Sequence, residues 1–109
     1  MAKKLLKKRP GKTQDLMNKI RDAVESGAYF DMTHALERSV ERQITRPEYE
    51  YVLLNGYHEK SKDDYKEKYK AWNYAIRGKT LDKRNIRVVI SFDKDDLLVI
   101  TVIDLDVET

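Results

Sequence analysis

No cysteine occurs in the 109 residues, which excludes disulfides, iron–sulfur clusters and thiolate zinc sites. Histidine is almost as scarce. His34 and His58 lie 24 residues apart, which is no metal-ligand spacing. No apolar run approaches the roughly 18 residues of a membrane span, and the N-terminus lacks an apolar stretch followed by small residues, so no secretory signal is expected. Gly-rich phosphate loops, serine nucleophile elbows, and zinc or EF-hand signatures are also missing. The expectation is a cytoplasmic protein with no membrane contact, no metal and no cofactor. Any chemistry then falls to His, Arg, Lys, Tyr and carboxylates.

What is present is charge, unevenly placed. Residues 1–12, "MAKKLLKKRPGK", carry six positive charges and no negative one, and the remaining chain is net −3. Within that remainder, residues 57–92 are net +5 and residues 93–109 net −5. A cationic belt attracts polyanions. The aperiodic basic segment ending at Pro10-Gly11 reads as a mobile arm over residues 1–12. Residues 13–109 are long enough for one core and too short for two.

Periodicity divides that domain. Thr13 is able to cap a helix in which Leu16, Ile20, Ala23 and Val24 form one stripe and Gly27 supplies the stop. "AYFDM" reads as a short extended piece. "THALERSVERQ" reads as a second helix with Ala35, Leu36, Ser39 and Val40 inward. Thr45 and Glu48 form a capping box for a third, with Pro47 in its first turn and Asn55-Gly56 at its end. It buries Tyr49, Val52 and Leu53. In residues 57–70 the Ser61–Asp64 spacing and the Tyr65–Tyr69 pair suggest one or two further helical turns. The period then changes to two in "AWNYAIRGK", "NIRVVISF" and "DLLVITVIDL", joined by short connections that favour an antiparallel meander. Helices followed by strands predict an α+β fold, with the helices on one sheet face and the last strand, apolar on both sides, at the centre.

That arrangement buries Trp72, Tyr74 and Ile76 with Ile86, Val88 and Ile90. It places Asn73, Arg77, Lys79, Arg87 and Ser91 together on the opposite face. Residues 77–87 hold five basic groups against Asp82 alone; Arg84 is among them. Guanidinium groups match phosphate oxygens bidentately. On the second helix His34, Arg38 and Arg42 recur every four residues, a stripe in which a histidine between arginines suits proton transfer at a phosphodiester, and for which the plainer account is a solvated surface tied by Arg38–Glu41 and His34–Glu37 pairs. His58 reads as surface. Tyrosines among lysines in "YKEKYKAWNYA" are able to stack on unpaired bases, although strand and helix spacing accounts for most of them as core or core rim.

"THALERSVERQITRPEYEYVLLNGY" and "WNYAIRGKTLDKRNIRVVISFDKDDLLVITVIDL" together resemble a domain-of-unknown-function family found in bacterial toxin–antitoxin operons. That family is similar to RelE-like and MqsR-like toxins, whose small α+β fold also covers barnase and colicin nucleases. The resemblance spans about residues 13–105. It implies metal-independent RNA cleavage, in which a 2′-hydroxyl attacks the adjacent phosphate and cations stabilise the phosphorane, with an antitoxin protein as controlling partner. Lys66 falls at the position of a catalytic lysine in the MqsR-like pattern, Asn73 at that of a glutamine and Arg87 at that of a tyrosine. The pattern's C-terminal lysine has no counterpart. The expected catalytic set is therefore His34, Lys66, Arg77 and Arg87, and the expected RNA contacts are Arg38, Arg42, Asn73, Lys79 and Arg84. The competing expectation is a non-enzymatic RNA- or protein-binding module on the same scaffold. Self-association is left open.

Overall fold

Capping chemistry is the most local signal in the chain, and the computed structural model, which describes residues 9–107, follows it at Gly27 and at Thr45–Glu48. The first eight residues of the expected arm lie outside the described residues, as do residues 108–109. Helix α1 (Leu16–Ser26) buries Leu16, Ile20 and Ala23 and ends at Gly27, whose φ of 77° puts it in the left-handed region. Its N-cap is Asp15 rather than Thr13. The Thr13 N–H instead donates to the Tyr74 hydroxyl at 2.7 Å. After strand β1 (Tyr29–Asp31) and helix α2 (Thr33–Glu41) comes α3 (Arg46–Asn55), which opens on the full Thr45–Glu48 capping box.

Strands β2 (Tyr57–His58), β3 (Asp64–Lys66), β4 (Ala71–Lys79), β5 (Asn85–Asp93) and β6 (Asp96–Asp104) complete the chain. The meander β4–β5–β6 is antiparallel. A register shift brings Val99 opposite Ile90 while Thr101 faces Val89, so Ile100 is an extra residue on β6. Helices α1 and α3 cover one face of the sheet. There Ile76, Ile86, Val88, Ile90, Leu97, Val99 and Val102 are fully buried with Ile20 and Leu53. Each such side chain contributes about 1.5–3 kcal/mol.

Four expectations are corrected. Residues 57–70 hold one 3₁₀ turn, Lys60–Lys62, between two short strands, because pairing with β4 outweighs the weak local helix signals. Strand β1 joins the sheet in parallel, Tyr29 beside Leu97 and Asp31 beside Val99, so the sheet is mixed. β6 therefore lies next to the edge and β5 takes the centre. Helix α2 packs on β6 and buries Ala35, leaving Leu36 47% and Val40 77% exposed. β1 and α3 are tied by Asp31, which accepts from Arg46 and from the Tyr49 hydroxyl. Burial pushes the Tyr49 phenol up to about 12, with the Asp31 hydrogen bond adding to the rise.

Gly56 turns the chain from α3 into β2. A methyl group there would lie 2.5 Å from the Arg77 carbonyl oxygen and 2.6 Å from that of Val52. Both are backbone atoms and cannot step aside. Gly56→Ala is expected to destabilise the protein by about 1–3 kcal/mol, read as a lower urea midpoint. An unchanged midpoint would show that the turn tolerates the extra carbon.

Candidate functional site

Residues paired across an antiparallel ladder share a face, so the β4 register decides what meets on the uncovered side. Arg77 lies directly opposite Arg87, and Tyr57 opposite Arg77. Two like charges in direct cross-strand contact are destabilising. Glu59 resolves the conflict. Its N–H donates to the Ala75 carbonyl at 2.8 Å, extending β2 by one contact. Its carboxylate then accepts from Arg87 Nε at 2.8 Å through Oε1 and from Arg77 Nη1 at 3.2 Å through Oε2. The Glu59 and Arg87 side chains are 14% and 16% exposed and that of Arg77 38%. The Arg87 hydrogen bond, seconded by Arg77, holds the Glu59 carboxyl below its ordinary value. It is thus an anion at neutral pH, in a cluster carrying one net positive charge.

Glu59 was not singled out in the sequence. The signal exists, since Tyr57 and Glu59 alternate around His58, but it is readable only once residues 57–59 are known to be extended.

Of the expected catalytic set, Arg77 and Arg87 meet and Lys66 stands apart from them. Lys66 pairs with Asp64 at 2.7 Å and lies opposite Ala71. That is six residues along β4 from Arg77, about 20 Å at strand rise. His34 stands in the first turn of α2, and its side chain lies outside the described residues. Of the expected RNA contacts, Asn73 and Lys79 do share the face of Arg77. Arg38 pairs with Glu41 at 2.5 Å on the surface. Arg42 donates to the Val102 carbonyl, where β1 no longer covers the edge of β6. Arg84 reaches Glu48 at 2.7 Å, Asp82, and the carbonyls of Arg42 and Gln43. It joins the β4–β5 turn to the α2–α3 junction. Arg42 and Arg84 hold the fold together.

A second polar cluster lies on the helix side. Asp63, whose side chain is 1% exposed, accepts from the Ala75 N–H at 3.0 Å. This is the point on β4 where β2 has ended and β3 has not begun. The same carboxylate meets Lys12 Nζ at 2.9 Å and His58 Nε2 at 2.7 Å. His58, expected on the surface, is 15% exposed and set edge-on to Tyr74. Residues 9–12, expected to be mobile, dock here. Trp72 Nε1 donates to the Pro10 carbonyl at 2.9 Å, Lys12 lies 4.7 Å from the Trp72 ring centre and Arg9 5.1 Å from that of Tyr65. Among the described residues, no group of three or more His, Asp or Glu side chains is placed to hold a metal ion, and no helix is long and apolar enough to cross a membrane.

Fold and site together define a small α+β protein that presents a polar, cation-bearing sheet face. The chain belongs to the family described as a domain of unknown function (DUF4258), which it matches over residues 32–104. The match runs from the entry of α2 to the end of β6 and so includes Glu59, Asp63, Arg77 and Arg87, while α1 lies outside it. No curated protein matches the chain.

Proposed function

We propose that the protein is a toxin-like, metal-independent endoribonuclease controlled by a partner antitoxin, with its reacting centre at Glu59, Arg77 and Arg87. The observation that carries this reading is one carboxylate held between two arginines on the open face. Such a group is a ready base for a 2′-hydroxyl. The flanking guanidinium groups suit the phosphorane that forms when the 2′-oxygen attacks the adjacent phosphorus. The Tyr57 phenol, opposite Arg77 on the same face and 55% exposed, donates the proton that the departing 5′-oxygen takes, leaving a 2′,3′-cyclic phosphate. His34 is the alternative donor, and Tyr57→Phe and His34→Ala separate the two. The resemblance to RelE-like and MqsR-like toxins supports the same reading.

The competing reading, a binding module without catalysis, has its own observation: Glu59 already occupies both guanidinium groups. Incubation of the pure protein with total RNA in EDTA distinguishes the two. Fragments ending in cyclic phosphate are expected. Intact RNA, bound in a salt-sensitive manner, would overturn the nuclease in favour of the module.

A further inference from the structure

Four residues along β4 from Arg77, on the same face, the sheet is hollowed into a groove of about 590 Å³. Its floor is Asn73 and Ser91, one wall is Leu98, Ile100 and Met32, and Tyr69 and Phe92 also line it. The size falls within the range of sites that enclose small organic groups. Polar groups in the floor differ in how they are engaged. The Ser91 hydroxyl donates to the Trp72 carbonyl at 2.8 Å. The Asn73 amide has no hydrogen-bond partner among the described residues, although it carries both donors and an acceptor. Tyr69, in the turn before β4, is 71% exposed, with Lys68 Nζ 5.5 Å from its ring centre. Lys66 on the rim has only an exposed pair with Asp64, which is weak in water and displaceable by a phosphate.

We propose that this groove is a base-binding subsite, which takes one unpaired nucleobase of the RNA strand whose backbone crosses Arg77 and Arg87. It rests on the RNA reading above and adds to it where sequence preference originates. The base stacks on Tyr69, its edge pairs with the Asn73 amide, and Lys66 and Lys68 meet the adjoining phosphates. A purely apolar ligand would leave the amide unpaired, at a cost; a base meets both the amide and the Tyr69 ring. Asparagine pairs bidentately with adenine through N6 and N7, so adenine is the preferred base. The distance from Asn73 to Arg77 along the strand, about 13 Å, is one that a short single strand crosses.

The test uses uncleavable 2′-O-methyl tetranucleotides of adenine or uracil, with affinity read by fluorescence anisotropy. The parent is expected to bind the adenine oligomer more tightly. Tyr69→Ala should weaken binding of both by roughly 5- to 100-fold, the usual effect of losing one stacked base. Asn73→Leu should remove the adenine preference. Tyr69 is exposed, so its variant folds, and circular dichroism checks Asn73→Leu. Variants that bind like the parent overturn the subsite even where the parent cuts RNA. Groove-dependent binding by a parent that cuts nothing supports the subsite and removes the nuclease. A parent that binds neither oligomer overturns both.

Discussion

Glu59→Gln should lower RNA cleavage by about 10²–10⁴-fold, the usual contribution of a positioned general base, with the protein still folded. Glutamine keeps the size and the hydrogen-bond acceptor but cannot take a proton. Arg87→Ala should show a loss of similar order for a different reason, since it removes the better-buried cation from the phosphate. The measurement is initial cleavage rate on a defined oligoribonucleotide in EDTA, at a temperature where circular dichroism shows each variant folded. Cleavage by Glu59→Gln at the parental rate would exclude Glu59 as the base.

The same substitution reports on stability. Arg77 and Arg87 face each other directly, and the Glu59 charge is what makes that register tolerable. Losing one charge-assisted hydrogen bond, leaving the other with a neutral acceptor and restoring the repulsion should cost about 1.5–3 kcal/mol at neutral pH. Glu59 has its folded value lowered from the ordinary 4.5, chiefly by Arg87. Its stabilisation is therefore complete above that ordinary value and is lost as pH falls through the lowered one. Glu59→Gln should narrow the stability difference from the parent in acid, measured as urea midpoints on both sides of the carboxylate range. A difference independent of pH would mean that the charge of Glu59 contributes nothing.

Asp63→Ala should damage the fold severely, costing about 2–4 kcal/mol out of the 5–15 kcal/mol typical of a domain. Its carboxylate takes the place of a ladder carbonyl in the gap between β2 and β3, where it satisfies the Ala75 N–H. Without it that donor is unpaired in a buried strand, and His58 and Lys12 lose a common partner. Asp63→Asn retains an acceptor for Ala75 and should lose clearly less. Urea denaturation of the two variants separates the hydrogen bond from the charge. Equal losses would show that the charge pairs, rather than the strand gap, are what Asp63 stabilises. Glu59 leaves β2 through the same gap, so Asp63→Ala should also slow any cleavage in proportion to how far it loosens Glu59.

Features legible in the sequence are those fixed by neighbours three or four residues apart or by strict alternation. The Thr45–Glu48 box, the Gly27 cap, the bounds of β4 and the sharing of one face by Asn73, Arg77 and Arg87 all follow from local hydrogen bonds or from the period of a strand. The stretch 57–70 misled because its helical spacings are real but weak, and extended pairing with β4 satisfies more backbone. Leu36 and Val40 match a helical stripe, yet α2 packs against β6 through Ala35, and no residue of the helix itself encodes which element it meets.

By itself, then, the sequence determined the class of fold, the three helices, the meander and the alternation that brings cations to one side. Only the tertiary structure decided that Glu59 stands between Arg77 and Arg87, that Lys66 lies a strand's length away from them, and that Asp63 closes the break beside β4. Those facts depend on the register between different strands, Tyr57 with Arg77, Lys66 with Ala71 and Arg77 with Arg87. Register is set by which pairing buries most apolar surface and leaves fewest backbone groups unpaired, a comparison made over the whole sheet and not within any one strand.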